Sequence, residues 1–402
     1  MTPGLSFFYG GMVGKRNVIS TMLQSFIALG VISILWVVVG FSLSFGESIG
    51  FTINGEHYGI IGNPLSYPFF NHVGAFPHKD MASTIPFVLF ALFQMKFAVI
   101  TPALVTGSFA ERVRFISYLL FMILFSLIIY TPLCHMVWHP EGLLNKYFGV
   151  KDFAGGTVVH MNGGLAGLVL AILIGKRAGY SKVAMKPASI ILTAVGAGLL
   201  WFGWYGFNAG SAFGANAIAG VAFLTTTVAA AVATITWILV ESLVFKKPTL
   251  LGAASGAVAG LVAITPAAGF VSVGGALIIG IVGAIVAFFG VSILKKKLGF
   301  DDSLDAFGVH FLAGLWGAIA TGIFALNDKA LLWSGPLKDA DDRMGQIMVQ
   351  LESCLIVGVY TLIGTVVVYY IASILTGGAR VNEDNESQGL DESVHGERGF
   401  NL

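Results

Sequence analysis

Apolar residues run along this chain in blocks of roughly 20 or more, the length that carries an α-helix across a hydrocarbon core about 30 Å thick. The blocks lie near 18–45, 85–109, 115–137, 153–174, 188–211, 217–244, 249–268, 271–294, 304–325 and 346–374. They predict ten full membrane-spanning helices. Ahead of them stands a half-length apolar piece, Met1 to Val13, which at about 1.5 Å per residue reaches roughly 20 Å and falls short of a full crossing. The expectation is an all-α polytopic membrane protein of eleven transmembrane helices, the first of them truncated.

The polar positions give this array a direction. Every second connection is basic: Lys15 and Arg16; Arg112 and Arg114; Lys176, Arg177, Lys182 and Lys186; Lys246 and Lys247; Lys295 to Lys297; then Arg380. The 22 basic residues divide into 15 on that side, 6 on the other and Lys96 inside a span. Excess Lys and Arg marks the cytoplasmic side, so the N-terminus is expected outside and the C-terminus in the cytoplasm of a cell (inner or plasma) membrane. Two regions break the pattern. The outer connection 46–84 mixes Gly, Pro, Asn, aromatics and three histidines (His57, His72, His78), read as solvated loop histidines rather than a metal site. The tail from Gly377 is acidic and too poor in apolar residues to fold alone. It is read either as a solvated end or as a cytoplasmic docking element. Residues 1–376 thus form a membrane domain and 377–402 the tail.

Composition sharpens the class. Only 11% of the 402 residues are charged and 56% are hydrophobic, against about 25% charged in soluble domains. A net charge of +1 gives no overall field for nucleic acid. Cys134 and Cys354 lie in apolar runs, which excludes a disulfide framework and a cysteine metal site. No nucleophile–base set, phosphate loop or metal cluster is present, so neither an enzyme nor a cofactor is expected. No basic n-region with a cleavage site opens the chain, so no secretory signal peptide is expected. Gly252, Gly256 and Gly260, like Gly163 and Gly167, recur every four residues, a spacing that lets membrane helices approach closely.

Two segments echo each other. Asp152-Phe-Ala-Gly-Gly-Thr-Val-Val-His160 runs into Gly-Leu-Ala-Gly at 164–167, and Asp305-Ala-Phe-Gly-Val-His310 runs into Leu-Ala-Gly-Leu at 312–315. Each opens a span with an aspartate and places one histidine inside it, in the fifth and the tenth helix. Those helices cross in opposite directions, the trace of a five-plus-five inverted repeat, with its pathway where the repeats meet. The halves are about 1–175 and 188–325, with 346–374 as a last helix. Ionisable groups within a membrane are costly and point to function. A single buried histidine is ordinarily a satisfied core residue; two at equivalent places predict a shared pathway, where imidazole can both donate and accept and can pass a proton. Asp152 and Asp305 are expected to cap helices, and Asp152 has in addition an electrostatic reading, holding a cation before it crosses. Phe93, Phe97, Trp138, Trp204, Phe207 and Ser211 gather at the span ends. Most interfacial aromatics form the ordinary belt, but these also suit a vestibule in which a desolvated cation–π contact is worth about 2 kcal/mol or more.

These residues carry a family resemblance. Pro3-Gly-Leu-Ser-Phe-Phe-Tyr-Gly-Gly11, Ala110-Glu-Arg112, His135-Met-Val-Trp138, the Asp152–His160 run, Gly203-Trp-Tyr-Gly-Phe-Asn-Ala-Gly-Ser211, Thr265-Pro266, Asp305-Ala-Phe-Gly-Val-His310 and the tail Gly389-Leu-Asp-Glu-Ser-Val-His-Gly396 follow one another in family order. The chain resembles the ammonium transporter family (Amt/MEP/Rh), on its Amt side. The resemblance implies a homotrimer with one narrow pore per subunit, carrying ammonium or ammonia, with acceptance of methylammonium left open. It implies an outer recruitment site of Trp138, Phe97 and Ser211, supported by Asp152; a gate of Phe97 and Phe207; and a pore pair, His160 and His310. Phe93, Trp204 and Thr265 would support the vestibule. It also implies a cytoplasmic face open to a PII-type regulatory protein. Departures from the family pattern are the short first helix, which suggests a start roughly ten residues late for a span of about 20; His139-Pro140-Glu141-Gly142 in place of a glycine run; and Lys96, expected to snorkel to the nearest interface.

The physics of such a pore suggests its chemistry. Burial lowers the pKa of an amine by as much as about 3–5 pH units, from a lysine-like value near 10.4, which brings deprotonation close to neutrality. The expectation is that ammonium loses its proton near the phenylalanine gate and crosses as ammonia. The proton either returns outward or follows through the histidines, and the resemblance favours the second. A receptor that binds ammonium mainly to signal is the rival from another class; a carrier of another small solute is a third reading.

Overall fold

A backbone inside a bilayer must satisfy its own N–H and C=O groups, so each apolar block becomes a helix. The computed structural model of the protein describes residues 1–326 and 340–400. Helix α1 covers Thr2–Met12. Nine helices long and apolar enough to span a membrane follow among the described residues: α2 (Val18–Phe45), α3 (Phe87–Phe109), α4 (Phe115–Trp138), α5 (Gly156–Ile174), α6 (Ile190–Ala212), α7 (Ala217–Phe245), α9 (Val273–Leu298), α10 (Phe307–Phe324) and α11, whose apolar part is Arg343–Thr376. The shorter α8 (Leu250–Ile264) lies between α7 and α9. With α1 and α8 the array is consistent with the expected eleven. Helix α8 stops early because Thr265-Pro266 begins a turn: proline cannot continue the hydrogen-bond ladder.

The expected glycine seams are used for helix contact. A Cβ on Gly260 of α8 would fall 2.5 Å from the Cβ of Ala233 on α7, so only glycine allows these backbones their separation. Helices α5 and α10 pack directly against each other.

The outer connection is more ordered than the sequence reading allowed. Strands β1 (Ser48–Ile53) and β2 (Glu56–Gly62) form an antiparallel hairpin. Asn54 and Gly55 turn it with positive φ of 52° and 85°, the conformation an Asn-Gly pair adopts in a tight hairpin. A second ribbon pairs β3 (Pro77–His78) with β4 (Ala82–Pro86). His135 of α4 pins the first hairpin: its Nδ1 lies 3.0 Å from the Ser44 carbonyl and its Nε2 2.8 Å from Ser48 Oγ.

The basic connections meet at the opposite end. Arg177 pairs with Glu111 and with Asp301, each at 2.8 Å. The fully buried Arg112 donates to the carbonyls of Ser108, Gly175 and Asp301. The tail does not stand free as a solvated end but packs on the chain's own basic end. Two short helices, α12 (Glu383–Gln388) and α13 (Leu390–His395), lie there. Leu390 is buried. Arg380 holds Glu386 at 2.9 Å. Asp391 accepts from the backbone N–H of Ser20 at 2.8 Å, and so caps the start of α2 from across the chain, where Asn17 itself gives no side-chain cap.

Candidate functional site

Three helices bring the aromatic residues together. Helix α3 supplies Phe93 and Phe97, α4 ends on Trp138, and α6 carries Trp204 and Phe207 before a tight turn that holds Ser211. Trp138, Phe97 and Ser211 line one cavity of about 130 Å³ at the end that carries the β-ribbons. Phe97 meets Trp138 edge-on, centroids 5.4 Å apart, and Phe93 sits 5.0 Å from Phe97. The Trp138 indole N–H donates to the Asp152 carbonyl at 2.9 Å, which fixes the ring's orientation. Ser211 donates its hydroxyl proton to the Phe207 carbonyl at 2.9 Å, so its oxygen remains free to accept.

Behind the cavity the path is closed by Phe97 stacked on Phe207, with centroids 4.2 Å apart and planes at 29°. Beyond that lid lie the histidines. His160 and His310 are 1% and 2% exposed, parallel within 10°, with centroids 5.4 Å apart. Trp204 stacks on His160 at 5.2 Å and is itself held by a 2.8 Å hydrogen bond from its indole N–H to Thr265. Both ring nitrogens of His160 and Nδ1 of His310 have no hydrogen-bond partner in the protein. Buried polar atoms are ordinarily paired, so three unpaired nitrogens in an apolar channel are exceptional. The remaining nitrogen, Nε2 of His310, lies 3.5 Å from Tyr9 Oη, which donates to the Leu104 carbonyl at 3.1 Å. Tyr9 was not among the sequence candidates; nothing in its motif separates it from its aromatic neighbours.

The approach of α5 to α10 has local causes. Gly155 takes φ +105° just before α5, a conformation that favours glycine. The first turn of α5 is widened, the N–H of His160 bonding back to the Gly155 carbonyl at 3.1 Å; such wide turns recur at functional sites. A Cβ on Gly314 of α10 would come 3.1 Å from the Cβ of His160, so that glycine lets the helices close.

The aspartates divide differently from expectation. Asp152 caps α5 as anticipated: its carboxylate accepts from the backbone N–H groups of Gly155, Gly156 and Thr157 at 2.7–2.8 Å. Asp305 does not cap α10. It sits at φ +64° and pairs with Lys295. The cap is Asp302, which accepts from Ala306 and Phe307 N–H groups at 3.2 and 2.8 Å. Asp302 precedes His310 by the same eight residues that separate Asp152 from His160, a spacing legible in the sequence. Burial pushes the Asp302 carboxyl up to about 6, against the opposing pull of Lys295 and the helix N–H groups.

Two other expected features are located. Lys96 is exposed and lines a separate cavity of about 330 Å³ backed by Phe97 and Phe207. His139 stacks on His135 at 4.3 Å and accepts from the Glu141 N–H; burial lowers its pKa to about 4.

Comparison with known proteins agrees in extent. The profile of the Ammonium Transporter Family matches residues 1–400. An ammonium transporter of Bacillus subtilis (strain 168) is 46% identical over 400 residues, spanning 100% of this chain and 95% of its own length. One from Aquifex aeolicus (strain VF5) is 42% identical, spanning 100% and 89%. The crystal structure of Candida albicans Mep2 superposes with a TM-score of 0.84 at 31% identity, over 96% of this chain and 83% of that one. A chain described as a sensor Amt protein gives 0.84 at 27% identity, over 98% and 94%.

Proposed function

This chain belongs to the Ammonium Transporter Family, and from that membership we propose how it carries ammonium across a membrane. Ammonium transport is the activity of the family, and nothing in the chain points to catalysis. The cation is drawn into the outer cavity, where Trp138 and Phe97 offer ring faces and edges and Ser211 offers a lone pair. Asp152 holds the site from behind, through its carbonyl on the Trp138 indole and its carboxylate on the start of α5. The cation then loses its proton against the Phe97–Phe207 lid. Desolvation favours the neutral form there, and rotation of the rings admits ammonia. Ammonia next exchanges hydrogen bonds with the His160 and His310 nitrogens. The proton follows through the same pair, so transport is electrogenic and the membrane potential adds about 2.3 kcal/mol per charge per 100 mV.

The observation that carries this reading is the buried histidine pair with three ring nitrogens unpaired in the protein. A core histidine kept for stability would have its nitrogens satisfied, as those of His135 are. The same reading includes a homotrimer in a plasma membrane, N-terminus outside, with repeat halves 1–175 and 188–325. The tail face is the docking side for a PII-type regulator. A second reading, an ammonium sensor, is supported by the likeness to the sensor Amt protein.

Currents in proteoliposomes on a solid-supported membrane after an ammonium pulse test the proposal, with wild type beside His160→Ala and His310→Ala. The expected result is a saturable wild-type current that is lost in each variant while the oligomer persists. Alkalinisation inside the vesicles without current would replace it by neutral ammonia conduction. Neither signal, with ammonium still bound, would favour the sensor.

A further inference from the structure

The outer cavity has one wall that belongs to no helix. The β3–β4 ribbon folds over it, and the turn joining the two strands puts Asp80 and Met81 among the lining residues, alongside Trp138, Phe97 and Ser211. The ribbon is anchored in place. Thr84 donates its hydroxyl to the Phe213 carbonyl at 2.5 Å, and the His78 ring packs on Phe87 at 4.7 Å. Phe213, which also lines the cavity, is held at φ +50°. Among the described residues the Asp80 carboxylate has neither a hydrogen-bond nor an ion-pair partner.

A second, independent feature points into the same space. Gln94, on the inner wall of the cavity, is 5% exposed, and its Oε1 has no hydrogen-bond partner. A buried amide oxygen without a donor is costly. The residue that carries it lines a cavity that already holds an accepting Ser211 oxygen and two aromatic rings. Each of these groups accepts from or attracts a cation, and none of the seven named lining residues brings a positive charge. Ammonium carries four N–H donors and one charge, which is the complement of this set.

We propose that Asp80, carried on the turn of the β3–β4 ribbon, is a recruiting residue of the ammonium site, working with the unpaired Gln94 oxygen beneath it. This rests on the reading of the outer cavity as the place where the cation enters. Asp80 stands at the exposed rim and acts through its charge: it raises the local concentration of cations at the mouth and hands them to the neutral acceptors inside. A rim charge alters capture and its salt dependence rather than the chemistry further in. The ribbon therefore sets the apparent affinity, and the pore below it sets the maximal rate. The family motifs contain neither residue.

The test is the concentration dependence of the ammonium-pulse current for wild type, Asp80→Asn and Asp80→Lys, at ionic strengths of about 0.01 M and 1 M, where the Debye length falls from about 30 Å to about 3 Å. At low salt Asp80→Asn is expected to raise the half-saturating ammonium concentration about 2- to 5-fold, the range of one exposed charge pair. Asp80→Lys raises it further, maximal currents stay at the wild-type level, and the three proteins converge at high salt. Equal half-saturation at low salt, or a shift that persists at 1 M, overturns the proposal while leaving the proposed pore intact. A wild type with neither current nor alkalinisation overturns the pore reading, and this inference with it.

Discussion

The Trp138 ring is held in place by its N–H bond to the Asp152 carbonyl, in the ring plane, which leaves its π system to meet a cation. A desolvated cation–π contact of about 2 kcal/mol corresponds to roughly 30-fold in binding. Trp138→Leu is therefore expected to raise the half-saturating ammonium concentration about 30-fold, measured by the same current assay, with at most a small change in maximal current. At this scale the sequence was readable wherever a polar group breaks an apolar run. His160 and His310 announced themselves that way, and the structure stacks them 5.4 Å apart. Gln94 gave the same signal inside α3 and was passed over. Asp80 gave none, because a carboxylate in a polar loop has no cost that marks it; only the folding of the ribbon over the cavity distinguishes it.

At the scale of elements, the apolar blocks fell close to the helices. The block 85–109 became Phe87–Phe109 and the block 153–174 became Gly156–Ile174. Hydrophobic length decides where a span lies, so these were legible. The outer hairpins were not read, although the Asn54-Gly55 turn was a usable signal. The start of α10 was assigned to the wrong aspartate because Asp305 is nearer the histidine, whereas the free helix N–H groups lie within reach of Asp302. That difference has a consequence for stability. Asp302→Ala leaves two buried N–H groups without their acceptor and is expected to cost about 1–2 kcal/mol. Asp305→Gly relieves a left-handed backbone by about 1–2 kcal/mol while losing the Lys295 pair, and so should be nearly neutral. Thermal unfolding in detergent at pH 7 distinguishes the two. Asp302 also sets a sign with pH. Its folded pKa, about 6, lies above the unfolded value, so the native state holds that proton more tightly. The proton-linked part of its contribution, separate from the cap itself, is full below about pH 4 and is lost as pH rises through about 6, and Asp302→Asn removes this slope.

Across the whole molecule, one charge cluster ties distant connections together at the basic end. Arg177 follows the first half, Asp301 opens the approach to the second histidine helix, and Glu111 joins both to the loop after α1 through the Gly14 N–H. Burial alone would raise the Asp301 carboxyl, but the guanidinium groups of Arg177 and Arg112 hold it below its ordinary value. Its stabilising contribution is accordingly present above about pH 4 and lost as pH falls through the folded value. Arg177→Ala strands a carboxylate whose side chain is fully enclosed and is expected to cost about 3–5 kcal/mol at pH 7. The deficit in thermal unfolding should shrink near pH 4, where Asp301 can take up a proton. The succession of apolar helices and the alternating charge of their connections were legible as a global pattern. The cluster was not, since it joins residues more than 100 positions apart. The cap that Asp391 places on α2 reaches further still, across 371 positions. At about 5–20 residues per second, a ribosome reaches that aspartate roughly 20–75 s after it has made Ser20. Throughout that interval the second helix sits in the membrane with its start unfinished. Its completion is therefore a late event in biogenesis, and a nascent chain released before Asp391 carries an open helix end.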